Sequence, residues 1–332
     1  MARDNALFLL SDSSFDLIYG PDERAEIAEL VNLIAPQQSA ESIAVAPELL
    51  GDVDVIFSGW GMPPLDDAFL ASAPNLRAVF YSAGSIRGFA TGAAWDRGIV
   101  ISSAWGANAV PVVEYTLSQI LFGLKCGWHQ ALTIKDEGHW VKKSRVPGAY
   151  GSTVGIISLG MIGRMVVERL KTFDVNVIAY DPYVDAETAA ELGVKLSSLE
   201  DLFAHADVVS LHTPKLTETL GMITGAHIAS MRDSATFINT SRGAVVNEPE
   251  MIAALQDRPD LYAVLDVTDP EPPVEGSSLY TLPNVILTPH IAGSMSNECR
   301  RMARYMIDEY RHFRDGLPLR WQITRDRART LA

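Results

Sequence analysis

The sequence predicts an α/β protein built from two doubly wound parallel-sheet domains, on three observations. Short runs that are apolar on both faces alternate with helical patterns, as expected of parallel strands covered by helices on both sides. The runs fall into two sets separated by a long helical stretch. The length, 332 residues, corresponds to about two domains at roughly 150 residues each.

The first set of strands is expected at Ala6–Leu10, Val53–Phe57, Leu76–Phe80 and Ile99–Ser102. The second set is expected at Thr153–Ile157, Val175–Tyr180, Val208–Leu211, Ala235–Ile238, Ala263–Leu265 and Val285–Leu287. Helical patterns lie between them at Pro21–Ile34, Val112–Lys135, Met161–Phe173, Leu199–Phe203 and Glu248–Gln256. A last one, Met295–Phe313, follows the final strand. It could return to the first domain and make that domain discontinuous, and the pattern alone leaves this open. No short-period repeat or low-complexity tract interrupts the alternation.

Composition narrows the function classes. Lysine and arginine number 27, aspartate and glutamate 41, so the formal charge is 27 − 41 = −14. Sequence-independent nucleic-acid binding and attachment to an anionic membrane both need a positive face, so both are disfavoured. Apolar residues make up 48%, ample for two cores. The two cysteines, Cys126 and Cys299, build neither a disulfide framework nor a cysteine zinc site. The apolar run Ala6 to Leu10 is too short for a signal-peptide core, and no window approaches a membrane span. A cytoplasmic, reduced chain is the expectation.

The clearest motif is Val154-Gly155-Ile156-Ile157-Ser158-Leu159-Gly160-Met161-Ile162-Gly163, between an apolar strand and an amphipathic helix. A dinucleotide fingerprint has G-x-G-x-x-G there, so that backbone can approach a pyrophosphate at a helix N-terminus. Gly160 allows the close approach and Gly163 lets helix and strand pack. Ser158 stands where the first glycine belongs, and serine prefers negative φ. An ordinary tight strand–helix turn explains a glycine pair equally well. Asp181 shifts the balance, because it ends the next strand, where an acid binds ribose hydroxyls. The same carboxylate repels a 2′-phosphate, favouring NAD over NADP.

Three further motifs follow apolar strands: Asn239-Thr240-Ser241-Arg242-Gly243, Asp266-Val267-Thr268-Asp269-Pro270-Glu271-Pro272 and Thr288-Pro289-His290-Ile291-Ala292-Gly293. Ligands of doubly wound sheets bind beyond the carboxyl ends of strands. Arg242 there can fork onto a carboxylate, though an isolated arginine after a turn is more often a surface residue. His290 can act as a general acid–base group, with Glu271 orienting its ring and stabilising its charged form. Taken singly, a histidine such as His290 is more often structural than catalytic. Together the three make an acid–base pair plus an anion clamp. His212, in Leu211-His212-Thr213-Pro214, is expected to line the cofactor cleft without proton chemistry. His129, His139, His205, His227 and His312 read as solvated or packed. No metal-ligand spacing such as H-x-x-x-H occurs, so no metal is expected.

With these residues the chain resembles the D-isomer-specific 2-hydroxyacid dehydrogenase family, from about Val53 to Gly316. Tyr180-Asp181-Pro182, Val113-Glu114 and Ala83-Gly84 join the motifs above in carrying the resemblance. It implies a Rossmann-type NAD-binding domain, 104–295, inserted into a flavodoxin-like substrate-binding domain made of 1–103 and 296–332. It implies that Arg242 binds the substrate carboxylate and carbonyl oxygen, with His290 as acid–base and Glu271 its partner. Ala83 and Gly84 would offer backbone to the carboxylate, and Trp60 and Arg87 would border the substrate. The cofactor contacts implied are Gly160, Met161, Ile162, Gly163, Asp181, His212, Thr213, Pro214, Thr240, Ser241, Asp266 and Gly293, with Asp181 on the adenosine ribose and Asp266 on the nicotinamide amide. A homodimer through 112–145 is implied as well.

The resulting expectation is an NAD-dependent oxidoreductase interconverting a D-2-hydroxy acid and its 2-oxo acid. Ser58-Gly59-Trp60-Gly61 lacks the arginine that phosphoglycerate-using relatives carry, and the chain leaves no room for their C-terminal regulatory domain, so 3-phosphoglycerate is disfavoured. Formate-oxidising relatives pair the histidine with glutamine, so Glu271 disfavours formate. The rival reading is a dehydrogenase-fold NAD sensor or corepressor-like binding protein.

Overall fold

A computed structural model describes residues 3–142 and 146–329. The chain divides into two compact units, one Met1–Ala109 with Ser294–Ala332, the other Val110–Gly293. The open question about the last helix is thereby answered: it belongs to the first unit. The divisions sit at Ala109/Val110 and Gly293/Ser294 rather than after 103 and 295. Ala104 and Ala107 pack into the first unit's core, and Ser294 N–H donates to Asn108 Oδ1 at 2.8 Å.

The first unit holds β1 (Asn5–Leu9), β2 (Asn32–Leu33), β3 (Val55–Ser58), β4 (Ala78–Tyr81) and β5 (Val100–Ser103). All pairs are parallel, in the order β2-β1-β3-β4-β5, which is the flavodoxin-like order. Successive residues point to opposite faces. Ile56 therefore joins Leu7 and Val79 on one side, while Phe57 joins Phe8 and Phe80 on the other. The helix Glu298–Arg314 covers the second side with Met302, Met306 and Tyr310, and Tyr310 stands edge-on to Phe80. Each fully buried side chain of this size stabilises the fold by about 1.5–3 kcal/mol.

The second unit holds β6 (Thr153–Ile157), β7 (Asn176–Tyr180), β8 (Lys195–Leu196), β9 (Val208–Leu211), β10 (Thr236–Asn239), β11 (Tyr262–Leu265) and β12 (Val285–Leu287). The order is β12-β11-β10-β9-β6-β7-β8, all parallel. Counted from its own first strand this is 3-2-1-4-5-6 extended by one strand, the Rossmann order. Phe237 and Ile238 of β10 feed its two cores. Because every strand runs the same way, all carboxyl ends share one rim, with neighbours about 4.8 Å apart.

Two departures from the sequence reading have clear causes. The stretch Val112–Lys135 is two helices, Trp105–Gly123 and Gly127–Glu137, because Cys126 between them takes φ +47° and breaks the hydrogen-bond ladder. The first pattern, Pro21–Ile34, stops at Leu30, where the chain turns into β2. The edge strands β2 and β8 span two residues each, too few for a periodicity to show. Among the described residues no helix is long and apolar enough to cross a membrane.

Candidate active site

The rim of the second sheet carries the sequence-predicted residues in strand order. After β6 comes the fingerprint turn. Ser158 N–H donates to Tyr180 O at 2.8 Å, and Ser158 adopts φ +76°. The turn thus keeps its glycine geometry with a serine in it, at a cost of about 1–2 kcal/mol. Gly163 is required by packing, since a Cβ there would lie 2.1 Å from Ser158 O. Gly160 is different. It caps the helix Met161–Leu170 at φ −65°, and its Cβ would meet nothing nearer than Ser158 Oγ at 3.9 Å. No side chain caps this helix, so its first N–H groups, those of Met161 and Ile162 among them, face open space in front of Gly160.

Asp181, after β7, is tied into the same turn. Its Oδ2 accepts from Leu159 N–H at 2.7 Å and its Oδ1 from Tyr183 N–H at 2.9 Å. A carboxylate has about four acceptor positions, so capacity for a ribose hydroxyl remains. After β9, His212 N–H donates to Ile157 O at 2.9 Å, and its Nε2 pairs with Ser210 Oγ at 3.0 Å. Among the described residues its buried Nδ1 has no hydrogen-bond partner. Burial pushes its pKa down to about 4, so the ring is neutral at pH 7. Thr213 is buried beside it, and Pro214 O accepts from Thr219 Oγ1 at 2.7 Å.

After β10, Asn239 shapes the Arg242 loop. Its Oδ1 accepts from Ser241 N–H and Oγ, and its Nδ2 donates to Arg242 O. Thr240 Oγ1 meets Thr116 Oγ1 at 3.0 Å. The Arg242 guanidinium donates to Ser241 O at 2.6 Å. Gly243 seats this loop on the next one, since a Cβ there would fall 2.0 Å from the Thr268 carbonyl carbon.

After β11 and β12 stand Asp266, Glu271 and His290. His290 Nδ1 and Glu271 Oε1 are 2.6 Å apart, and both side chains reach solvent. With Nδ1 engaged, Nε2 is the ring nitrogen left for a reactant. Asp266, which the resemblance places on a nicotinamide amide, is 2% exposed and accepts three hydrogen bonds. They come from Thr288 Oγ1 at 2.6 Å, Ile291 N–H at 2.9 Å and Ala292 N–H at 2.9 Å. Asp266 thus organises the loop that carries His290 and Gly293. Neither Thr288's hydroxyl nor Asn239's amide was singled out from sequence, because their partners only become visible in space.

In the first unit, Trp60 packs partly buried after β3, against both cores. Ala83 N–H is spent on Tyr81 O at 2.9 Å, and the carbonyls of Ala83 and Gly84 both accept from Ser103 Oγ. Arg87 is exposed.

Residues 120–292, just over half the chain, match the NAD-binding domain of D-isomer specific 2-hydroxyacid dehydrogenase. The chain belongs to that family. A D-3-phosphoglycerate dehydrogenase of Archaeoglobus fulgidus is 32% identical over 257 residues, 77% of this chain and 49% of that protein. The chain spans about half the length of the curated relatives it matches first. A glyoxylate reductase from Paecilomyes thermophila superposes with a TM-score of 0.76 at 25% identity, covering 97% of this chain and 99% of its own. The NAD-complexed D-isomer specific 2-hydroxyacid dehydrogenase of Lactobacillus delbrueckii ssp. bulgaricus does so with 0.79 at 22%, covering 96% and 100%. The family's cofactor fits what the second unit presents. The uncapped helix with open space before Gly160 suits a pyrophosphate, and the orphaned His212 Nδ1 is a buried polar atom awaiting a partner.

Proposed function

We propose that the protein is an NAD-dependent oxidoreductase interconverting a D-2-hydroxy acid and its 2-oxo acid. The observation that carries this reading is the 2.6 Å pair of Glu271 and His290 on the rim of an NAD-binding sheet. Bound NADH would supply the hydride. His290 would hold the proton on Nε2 and deliver it to the substrate carbonyl oxygen, with Glu271 fixing the ring through Nδ1. Arg242 would fork onto the substrate carboxylate and stabilise negative charge on the carbonyl oxygen. Gly160, Met161, Ile162 and Gly163 would seat the pyrophosphate, and Asp181 the adenosine ribose. His212, Thr213, Pro214, Thr240, Ser241 and Gly293 would border the cofactor, with His212 neutral throughout. Ala83, Gly84, Trp60 and Arg87 are proposed for the substrate. The unit Met1–Ala109 with Ser294–Ala332 is proposed as the substrate-binding part and Val110–Gly293 as the cofactor part.

The substrate class proposed is a small 2-oxo acid rather than 3-phosphoglycerate, since Ser58-Gly59-Trp60-Gly61 brings no cation to the end of β3. The relatives it resembles are named as dehydrogenases and reductases, which weighs against the sensor reading. A homodimer through 112–145 is part of the proposal, residues 143–145 lying outside those described. The exposed Phe122 and Trp140 in that region support it. A cytoplasmic setting is proposed too. Steady-state rates with a panel of 2-oxo acids, each assayed with NADH and with NADPH, test the reading. Turnover of none of them, or equal efficiency with NADPH, would overturn it. Light scattering on the purified protein tests the dimer, and a monomer mass at micromolar concentration would refute it.

A further inference from the structure

His290 stands in an unusual backbone conformation, with φ +53°. A non-glycine residue is held there only when its surroundings over-determine it. His290 N–H is shared between Asp266 O at 3.0 Å and Thr288 O at 2.9 Å. The next two amides, of Ile291 and Ala292, both donate to the Asp266 carboxylate. Asp266 therefore grips three consecutive residues, with its carbonyl and both carboxylate oxygens. Its remaining donor is Thr288 Oγ1, at 2.6 Å.

Thr288 Oγ1 has a second neighbour, the phenol of Tyr115 at 2.9 Å. The direction of this bond follows from proton counting. A threonine hydroxyl has one hydrogen, and Thr288 gives it to a carboxylate that offers only acceptors. Thr288 must then accept from Tyr115, and the chain reads Tyr115 O–H to Thr288 O–H to Asp266. Burial raises the pKa of Tyr115 above its ordinary value, the Thr288 bond lowers it and the Asp266 charge raises it further, so the phenol stays a donor at working pH. Tyr115 lies in the helix Trp105–Gly123, far in sequence from His290 but in the same unit. One rigid helix is thus connected by two directed hydrogen bonds to the carboxylate that shapes the His290 loop.

We propose that Tyr115 is a positioning residue for His290, acting through Thr288 and Asp266. It touches no reactant. Its phenol fixes the Thr288 hydroxyl on Asp266, which keeps Asp266 aligned under the amides of Ile291 and Ala292 and holds the imidazole at its angle to the substrate. The inference rests on His290 being the proton donor, and the experiment below separates the two claims.

Tyr115→Phe removes only the hydroxyl and keeps the ring's packing. The expected result is a kcat lower by roughly 3–10-fold, the range a single neutral hydrogen bond commands, with the KM for NADH unchanged within about twofold. Amide hydrogen exchange at Ile291 and Ala292 should quicken, while exchange in β10 and β11 stays at the wild-type rate. Thr288→Val should show the same pattern, and the double variant should be no worse than Thr288→Val alone, because the two act in series. A Tyr115→Phe enzyme with wild-type kcat and wild-type exchange at both amides would overturn the proposal. So would a double variant showing the product of the single losses, or a variant whose only change is a lower Tm. Absence of turnover by the wild type with any 2-oxo acid would strike the functional reading instead. The exchange rates at Ile291 and Ala292 then decide Tyr115's role by themselves.

Discussion

Replacing Gly160 and Gly163 separately by alanine should split cofactor binding from folding, although the two glycines sit in one turn. At Gly160 the added Cβ meets nothing within 3.9 Å, and φ −65° suits any residue. Folding stability should therefore hold within about 0.5 kcal/mol, or rise slightly through the stiffer unfolded chain. The methyl group does, however, enter the space in front of the helix N-terminus. It lengthens every contact a pyrophosphate makes there, and NADH should bind about 10- to 100-fold more weakly, or about 1.4–2.7 kcal/mol. At Gly163 the Cβ would lie 2.1 Å from the carbonyl oxygen of Ser158, and the obstacle is backbone. Overpacking of this kind costs about 1–3 kcal/mol, against about 1 kcal/mol gained in helix propensity. A net loss of about 2 kcal/mol lowers Tm by about 4–8 °C for a unit of this size. NADH affinity should fall as well, because the turn must move. The assays are thermal unfolding by circular dichroism and NADH titration by fluorescence. A Gly160→Ala protein that binds NADH like wild type would show that the fingerprint turn does not hold the nucleotide. A Gly163→Ala protein of unchanged Tm would show that the helix yields freely, and that the close packing read from the turn is soft.

Further outcomes are expected elsewhere. Ser158→Gly should relieve the φ +76° strain and raise stability by about 0.5–1 kcal/mol after allowing for glycine's extra entropy, as seen in Tm. Arg242→Ala should lose about 30- to 1000-fold in kcat/KM with NADH affinity kept, and a variant within a few-fold of wild type would make Arg242 a surface residue. His290→Ala should lose about 100-fold or more in kcat, and adding Glu271→Gln should cost little further. A full product of the two single losses would show that the pair is not coupled. His212, with its pKa pushed down to about 4 from 6.5, binds a proton in the unfolded chain before the folded one. The fold should then lose stability as pH falls from about 6.5 to about 4. In Tm against pH, His212→Gln should flatten that slope, and an unchanged slope would mean that the ring is not desolvated.

Much of the fold was legible in the residues. Strands β6, β9 and β12 fall where the apolar runs begin and end, because polar residues bound each run, Ser152 and Ser158, Asp207 and His212, Asn284 and Thr288. The site motifs were legible for a related reason. In a parallel sheet every strand end lies on one rim, so Arg242, Asp266 and His290 share a place by topology before any contact is known. The short helices Asp12–Ile18, Ala40–Val45, Asp67–Ser72 and Gly92–Asp96 were not legible. Each has fewer than two full turns, and their helicity comes from caps and packing more than from a repeating apolar face.

What the sequence determined by itself was therefore the alternation, the two sheets and the identities of the rim residues. Each of these depends on patterns local in the chain. Only the tertiary structure decided the matters that turn on groups distant in sequence meeting at hydrogen-bond range. It placed Cys126 in a left-handed break where the apolar pattern runs on, and it held Ser158 at a glycine's φ. It also engaged Asp181 Oδ2 with Leu159 N–H, and both carboxylate oxygens of Asp266 with the amides of Ile291 and Ala292, pairings that no spacing rule gives. The meeting of Tyr115 with Thr288 is of the same kind. A hydrogen bond needs its partners within about 3 Å and well aligned, and residue order alone does not carry that precision.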